Sequence, residues 1–184
     1  MQPTFNTNRL MLRPRKLSDL EECLKMDRDP EVTRFVPGPW HQPRIHRRFV
    51  IERIKRVYPP GLGYWTIRDR ETEQFYGWVL LIPYDVLKPE VEIGWRLVRD
   101  TWGKGIATEA AKIILDHGLD TVGIPRIVAD IDPHNIASSR VAEKIGMKYV
   151  EERILNGSKF MSFQSESDHL RPSLALPCRY LRVP

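Results

Sequence analysis

The sequence predicts a single mixed α/β domain of the α+β type, in which helices flank a mainly antiparallel central sheet. Three observations predict this class. Helical patterns fill the first third of the chain, three β-rich runs follow, and strands then alternate with helices. A length of 184 residues, 41% of them hydrophobic, suffices for one sizeable core but is short for two. We therefore expect one domain over residues 1–165, followed by a tail, residues 166–184, for which the sequence predicts no defined element.

The first third of the chain carries one strand and three helices. Residues 9–13 alternate loosely and favour a strand. Ser18 and Glu21 have the spacing of a capping box that starts a helix ending near residue 27, and Asp29 with Pro30 starts a short second helix. Over residues 44–57, arginines lie opposite a stripe of apolar residues with helical spacing, namely Ile45, Phe49, Ile54 and Val57. The basic residues of this third helix are therefore expected to form a solvated face.

The rest of the chain is organised by β-rich runs and turn residues. Three such runs predict an antiparallel meander over residues 63–69, 75–84 and 90–98. Beyond them the patterns predict a helix, a strand, a helix and a last pair of strands, over residues 105–120, 126–131, 136–145, 148–155 and 159–165. The second of these helices is expected to end at Gly146, where a left-handed residue fits.

Charge and cysteine content narrow the classes of partner. A formal net charge of +5 favours anionic partners such as nucleic acid, acidic protein or a phosphorylated small molecule. No nucleic-acid-binding signature accompanies the basic residues, so nucleic acid is not the expected partner. The two cysteines are far apart and lack ligand spacing, which argues against a metal site. Without a signal-peptide core or a long apolar run, the sequence predicts a cytoplasmic protein with no membrane partner.

One short motif, WGKGIATEA over residues 102–110, leads directly into a predicted helix. The first N–H groups of a helix are unpaired and carry partial positive charge, so a glycine-rich turn at that point can hold a phosphate. The spacing matches neither the Walker pattern nor the dinucleotide fingerprint. Taken alone, the motif is also explained by a tight turn that needs glycine backbone angles.

Two longer segments, residues 92–115 and 126–149, closely resemble the acyl-CoA site of the GNAT superfamily of N-acetyltransferases. The resemblance runs from about residue 8 to 155 and is strongest to the ribosomal-protein N-terminal acetyltransferases. The family pattern is Gln/Arg-x-x-Gly-x-Gly/Ala; Trp102 takes its first position, a variant usual in that branch, and Gly105 and Ala107 match the others. The resemblance implies the GNAT fold, with acetyl-CoA as cosubstrate and no metal.

The resemblance also implies which residues bind the cofactor. The N–H groups of residues 104–108 would hold the CoA pyrophosphate, and the strand end at Leu97 and Val98 would pair with the pantetheine amides. The implied cofactor-binding residues are Leu97, Val98, Trp102, Gly103, Lys104, Gly105, Ile106, Ala107, Thr108, Asn135 and Ser138. Lys104 is equally well explained as a solvent-facing lysine. Asn135 is also a good helix N-cap, and the two roles are compatible.

Acetyl transfer to an amine requires a neutral nitrogen, a polarised thioester carbonyl and a proton for the departing thiolate. Ser138 lies on the predicted inward stripe of its helix and matches the residue proposed as proton donor in related enzymes. Its alternative role is that of a small residue chosen for packing. Ser139 and Tyr149 are the other candidate donors.

Glu92 is the candidate general base. In its strand Glu90, Glu92 and Arg96 alternate with apolar residues, and Glu92 leads toward the cofactor turn, so it can take the amine proton through water. A pair with Arg96, or plain exposure, is the structural alternative. Some relatives carry a glutamate after the second motif, where this chain has Leu-Asn-Gly at residues 155–157. Loss of Glu92 is expected to cost most activity below neutral pH, where the amine is protonated.

The predicted function is transfer of acetyl from acetyl-CoA to a primary amine by direct attack in a ternary complex. The first candidate acceptor is a protein N-terminus, with a polyamine, an amino acid or an amino-bearing antibiotic as rivals. The alternative is a CoA-binding GNAT fold that has lost catalysis and acts as a sensor or interaction module. The implied partners are acetyl-CoA and the amine acceptor, and a homodimer is left open.

Overall fold

The computed structural model describes residues 2–84, 90–155 and 157–167 of the chain. Within them, eight strands form one sheet. The strands are β1 (Phe5–Asn6), β2 (Leu10–Pro14), β3 (Gly63–Asp69), β4 (Phe75–Pro83), β5 (Val91–Leu97), β6 (Arg126–Ile131), β7 (Lys148–Leu155) and β8 (Ser158–Glu166). The helices are α1 (Leu20–Asp27), α2 (Pro30–Thr33), α3 (Pro43–Lys55), α4 (Ile106–Asp116) and α5 (Ile136–Lys144).

The strands lie in the order β1-β2-β3-β4-β5-β6-β8-β7. All neighbours are antiparallel except β5 and β6, which are parallel and are joined by a crossover through α4. The expected meander is β3-β4-β5, and the expected last pair of strands is β7-β8. The predicted mixed, mainly antiparallel sheet flanked by helices is therefore confirmed.

The two faces of the sheet are covered by different helices. On one face, Val79 and Leu81 of β4 belong to the larger core, which also contains the apolar residues of α4 and α5. On the other face, Trp78 packs against a smaller core formed by α1 and α3. Because successive strand residues point to opposite faces, the same alternation puts Glu92 of β5 on the α1–α3 face and Ile93 in the larger core.

The start of α1 differs from the expected capping box. A short 3-10 turn, Leu17–Asp19, precedes α1, and Asp19 rather than Ser18 accepts a capping hydrogen bond, from the Lys16 N–H at 2.8 Å. The helix that follows has no side-chain cap, so the predicted pairing of Ser18 with Glu21 is wrong. The Asp19 carboxylate takes this position because it also meets two arginines beneath the helix.

The inward stripe of α3 also differs from the expected one. The buried residues are His46 and Val50, whereas Ile45 is 45% exposed and Val57, beyond the helix end, is 93% exposed. The face of α3 that carries His46 is the buried one, because the His46 ring contacts the carboxylate of Asp27 in α1. Its Nε2 lies 3.1 Å from Asp27 Oδ2. The basic residues are mostly solvent-exposed, as expected, although Arg53 lies over the Phe49 ring.

Several boundaries of the later helices and strands agree closely with those predicted from the sequence. The second helix begins at Pro30 after Asp29, as expected, and α5 ends before Gly146, which has a φ of +98°. The helix predicted to reach residue 120 ends at Asp116 and continues as a wider π-type turn. Of the predicted tail, residues 168–184 lie outside the described residues, and β8 runs to Glu166.

Asp19 is the centre of a buried ion-pair network that fixes α1 on the sheet. The carboxylate is fully buried and accepts hydrogen bonds from Arg13 at 2.5 and 2.9 Å, from Arg68 at 3.0 Å and from the Thr66 hydroxyl at 2.8 Å. Burial acts to raise the pKa of Asp19, but the hydrogen bonds from Arg13, the Lys16 N–H, Arg68 and Thr66 outweigh it and hold that pKa well below its usual range.

Asp19→Asn is expected to lower the free energy of unfolding by about 3 to 5 kcal/mol, because the partly buried Arg13 loses its carboxylate partner and Arg68 keeps only Glu22. The folded-state pKa of Asp19 lies below the unfolded value, so the native chain should lose this stabilisation as the pH falls below about 4, and the variant should not. Urea unfolding as a function of pH measures both effects.

Glu22→Gln is the matched control, because Glu22 also pairs with Arg68 but its side chain is 39% exposed. It should cost about 1 kcal/mol or less. Equal losses for the two variants would contradict the central role of Asp19.

Candidate active site

The parallel strands β5 and β6 are paired along only part of their length. The register joins Val91 to Ile127 and Glu92 to Val128, and the described strands form no further pair beyond that point. β5 nevertheless continues to Leu97 and β6 to Ile131. The two strands therefore part, and an opening widens between them toward their carboxyl ends.

One edge of β5 faces this opening with backbone groups that can bind an extended ligand. Val98 donates its N–H to Tyr76 of β4 at 2.9 Å, so its neighbour Leu97 directs its backbone groups to the opposite edge. The Leu97 carbonyl accepts a hydrogen bond from the indole of Trp102 at 3.1 Å. Leu97 and Val98 are the residues expected to pair with pantetheine. Because the Val98 N–H is bonded to Tyr76, the Leu97 N–H is the one of the two that is directed at the opening.

The glycine motif forms the turn that enters α4. Gly103 and Gly105 have φ of +73° and +74°, in the left-handed region that favours glycine, and Gly105 is the N-cap of α4 without a side-chain cap. The first N–H groups of α4, from Ile106 to Thr108, have no intrahelical acceptor, and the helix ladder starts with the Glu109 N–H. Trp102 and Lys104 are exposed. Unpaired N–H groups of this kind can bind an anion, and residues 103–108 at the carboxyl end of β5 are therefore the candidate anion-binding turn.

The second helix that starts at this edge is α5, which follows β6. Asn135 is its N-cap, and its Oδ1 accepts from the Ser138 N–H at 3.2 Å, as expected from the sequence. Because β5 and β6 are parallel, their carboxyl ends lie at the same edge, and the amino ends of α4 and α5 both adjoin the opening. The expected cofactor residues of the two motifs are therefore brought together.

The three candidate proton donors occupy different environments. Ser138 is partly buried, at the border of the inward face of α5, whereas Ser139 is only 8% exposed and donates its hydroxyl to the Asn135 carbonyl at 3.4 Å. The inward face is thus centred on Ser139 and Ala142 rather than on Ser138. Tyr149 is 50% exposed on β7, and β8 separates it from β6. The hydroxyl of Ser139 thus has a backbone acceptor within its own helix, and the role of Ser138 as proton donor stays a prediction.

Glu92 lies at the point where β5 and β6 part. It is partly buried on the α1–α3 face, and it forms no ion pair with Arg96, whose guanidinium instead donates to Asp27 at 2.8 Å. Burial raises the pKa of Glu92 to about 7, the negative charge of Asp130 adds to this rise, and Arg53 opposes it. A carboxylate with a pKa near neutral suits a general base.

Asp130 of β6 is a buried acidic residue that the sequence analysis missed. Its side chain is 3% exposed, and its Oδ2 accepts a hydrogen bond of 2.5 Å from the Tyr84 hydroxyl. Burial and this hydrogen bond raise the pKa of Tyr84 far above its ordinary value. The signal was present, because Asp130 is the one charged residue inside the apolar run of residues 127–131, where a charge is costly unless it has a partner or a function.

The described residues lack two further kinds of feature. They contain no group of three or more histidine, cysteine, aspartate or glutamate side chains arranged to hold a metal ion. They also contain no helix with the length and apolar character that crossing a membrane requires.

Residues 9–148 match the family model described as an acetyltransferase (GNAT) domain. This match covers most of the chain, and the chain belongs to the GNAT family of acetyltransferases. It is accordingly an acyltransferase that depends on acetyl-CoA, and CoA is the ligand that its fold binds. The enzyme class and the fold expected from the two motifs are thereby confirmed.

Individual relatives agree with this assignment. The chain is 37% identical over 122 residues to the uncharacterised protein YkkB of Bacillus subtilis, a match that covers 66% of this chain and 70% of YkkB. It is 29% identical over 146 residues to the uncharacterised N-acetyltransferase p20 of Bacillus licheniformis, covering 79% and 82% of the two chains. An acetyltransferase structure from Agrobacterium tumefaciens superposes with a TM-score of 0.76 at 27% identity, covering 91% and 96%.

Gly105→Ala is expected to weaken CoA binding about tenfold or more, because a side chain at a φ of +74° strains the turn that presents the N–H groups of α4. Isothermal titration calorimetry with CoA measures the change.

Gly123→Ala is the matched control, since Gly123 has a φ of +76° and lies in the connection before β6, away from the turn. It should cost similar stability and leave CoA affinity unchanged. An unchanged affinity in folded Gly105→Ala would show that this turn does not hold the pyrophosphate.

Proposed function

We propose that this protein transfers the acetyl group of acetyl-CoA to a primary amine by direct attack in a ternary complex. The observation that carries the proposal is the opening between β5 and β6. It has the anion-binding turn of α4 at its wide end and Glu92 at its narrow end. The turn can hold the pyrophosphate, the β5 edge can pair with pantetheine, and the thioester then lies near the carboxylate. The acceptor is a small amine or a protein N-terminus.

The chemistry follows from the order of these groups along the opening. Glu92 takes a proton from the ammonium acceptor through an ordered water, which leaves a neutral amine with a free electron pair. The nitrogen attacks the thioester carbonyl, and the tetrahedral intermediate collapses with cleavage of the carbon–sulfur bond. Ser138 donates a proton to the CoA thiolate and regains one from solvent. The second proton of the nitrogen leaves to water, and the products are an amide and CoA.

The raised pKa of Glu92 changes the expected pH dependence. Below about pH 7 the native carboxyl is itself protonated, so it cannot act as a base. Above a pH of about 10, an alkyl amine is mostly free and needs no base. The advantage that Glu92 confers is therefore largest between these two values, not below neutral pH as the sequence alone suggested.

Glu92→Gln is expected to lower kcat/KM by about 100-fold or more between pH 7 and the pKa of the amine, within the usual range for a general base. The deficit should shrink toward pH 6 and again above pH 10. A pH profile of both proteins with one alkyl amine measures this. A deficit that is constant over the whole pH range would instead assign Glu92 to substrate orientation or to folding.

Ser138→Ala is expected to lower kcat by roughly 10- to 1000-fold with little change in CoA affinity, because the thiolate loses its proton donor. Ser139→Ala is the matched control one residue along the same helix, and it should retain most of the turnover. Stopped assays of free thiol give kcat, and calorimetry gives the affinity. Equal turnover in Ser138→Ala and the native protein would remove Ser138 from the mechanism.

The general test is a screen of alkyl amines, amino acids and peptides with acetyl-CoA, read as release of free thiol. Turnover with any of them supports the transferase. CoA binding without turnover across the panel would contradict it and would support the alternative in which the fold serves as a sensor.

A further inference from the structure

Two buried oxygen atoms on neighbouring strands have no hydrogen-bond partner among the described residues. They are Oδ1 of Asp130 in β6 and Oγ of Ser162 in β8. The Asp130 side chain is 3% exposed and Ser162 is fully buried. The other buried side-chain atoms without a partner in the described part of the chain are guanidinium nitrogens, of Arg15 and Arg68. Buried oxygens of this kind are rare in folded proteins and call for an explanation.

These two oxygens lie on one face of the sheet with Glu92. Asp130 and Ser162 are directly paired in the β6–β8 register, so their side chains point to the same face. Glu92 is paired with Val128, and Asp130 is two residues further along β6 on the same side. Asp130 therefore borders the opening just beyond the last paired residues. The unpartnered oxygens and the proposed base are neighbours at its narrow end.

The surrounding charges leave this position anionic. Arg153 is the nearest cation, but its guanidinium donates to Glu90 at 2.9 and 3.2 Å and to Glu151 at 3.0 Å. It also forms a longer ion pair with Asp130 Oδ2, at 3.7 Å, which is beyond hydrogen-bond distance and leaves Oδ1 without a donor among the described residues. The Tyr84 hydroxyl satisfies that same Oδ2 and is neutral. A ligand that completes the site must therefore donate hydrogen bonds and carry positive charge.

We propose that Asp130 and Ser162 bind the ammonium group of the acceptor beside Glu92, so that the site selects strongly basic alkyl amines. This inference rests on the proposed function and narrows its acceptor. An ammonium group has three donors: two match Asp130 Oδ1 and Ser162 Oγ, and the third reaches the Glu92 carboxylate through the ordered water of the proposed mechanism. An alkyl amine has a pKa of about 10 and is almost entirely cationic at neutral pH, whereas a peptide α-amino group, near 8, is partly neutral. The anionic site therefore favours the alkyl amine, and Glu92 then removes its proton.

The test compares two acceptors of nearly equal shape, propylamine and O-ethylhydroxylamine, with acetyl-CoA at neutral pH. The first is a cation, and the second is a weak base that is neutral under these conditions. Asp130→Asn should lower kcat/KM for propylamine by about 10- to 100-fold, the range for losing a charge-assisted hydrogen bond. For O-ethylhydroxylamine the change should stay within about threefold. Ser162→Ala, which keeps the charge, should show the same selectivity with a smaller loss for propylamine of about three- to tenfold.

Glu152→Gln is the matched control, because it removes one carboxylate from β7 at a side chain that is 58% exposed. Glu152→Gln should leave kcat/KM unchanged for both acceptors. CoA affinity by calorimetry and the thermal midpoint show that each variant is folded. If Asp130→Asn does not fold, Ser162→Ala decides the question by the same comparison.

Equal losses for the two acceptors would overturn the inference, because Asp130 would then act on the transfer step or on the fold rather than on the cation. A native enzyme that acetylates peptides or O-ethylhydroxylamine but not propylamine would also overturn it, while leaving the proposed transferase intact. If the protein lacks the proposed transferase activity, the result is different, because no amine would then release free thiol from acetyl-CoA.

Discussion

The short parallel pairing of β5 with β6 is the constraint on which the site depends. Each strand is held along its other edge, β5 by seven residue pairs with β4 and β6 by six with β8. Between themselves the two strands share only two residue pairs and then part, while their outer ladders continue. The unpaired edge of β5, the amino ends of α4 and α5, and the carboxylates near Glu92 all owe their mutual placement to this separation.

Buried polar groups in this protein fall into two kinds, and the difference separates structure from function. Asp27 has both oxygens occupied, one by Arg96 at 2.8 Å and the other by His46 at 3.1 Å. Asp19 is likewise fully bonded. These networks fix α1 and α3 on the sheet. Asp130, by contrast, uses one oxygen and leaves the other without a donor among the described residues. An incompletely bonded buried carboxylate stabilises the fold poorly, and this is the observation from which cation binding at Asp130 is proposed.

The two ends of the opening have opposite electrostatic character. At the wide end, the first backbone N–H groups of α4 carry partial positive charge and Lys104 is exposed, a combination that favours an anion. At the narrow end, Glu92 and Asp130 repel each other, and burial adds to the cost of their charge. This separation of charge is what the proposed ternary complex requires, because CoA brings anionic phosphates and the proposed acceptor is a cation.

The sequence alone determined the elements and the cofactor motif. Periodicity, the prolines and the glycines reflect local backbone preferences, and these persisted in the β3-β4-β5 meander, in the short helix at Pro30 and in the turn at Gly103 and Gly105. The sequence alone did not determine which distant side chains contact each other. The turn of α3 toward His46, the pairing of Asp19 with Arg68, and the pairing of Asp130 with Ser162 join residues 19 to 49 positions apart. Tertiary packing alone decides such contacts. A charged group can be buried only where the fold places a partner beside it, and no local sequence pattern identifies that partner.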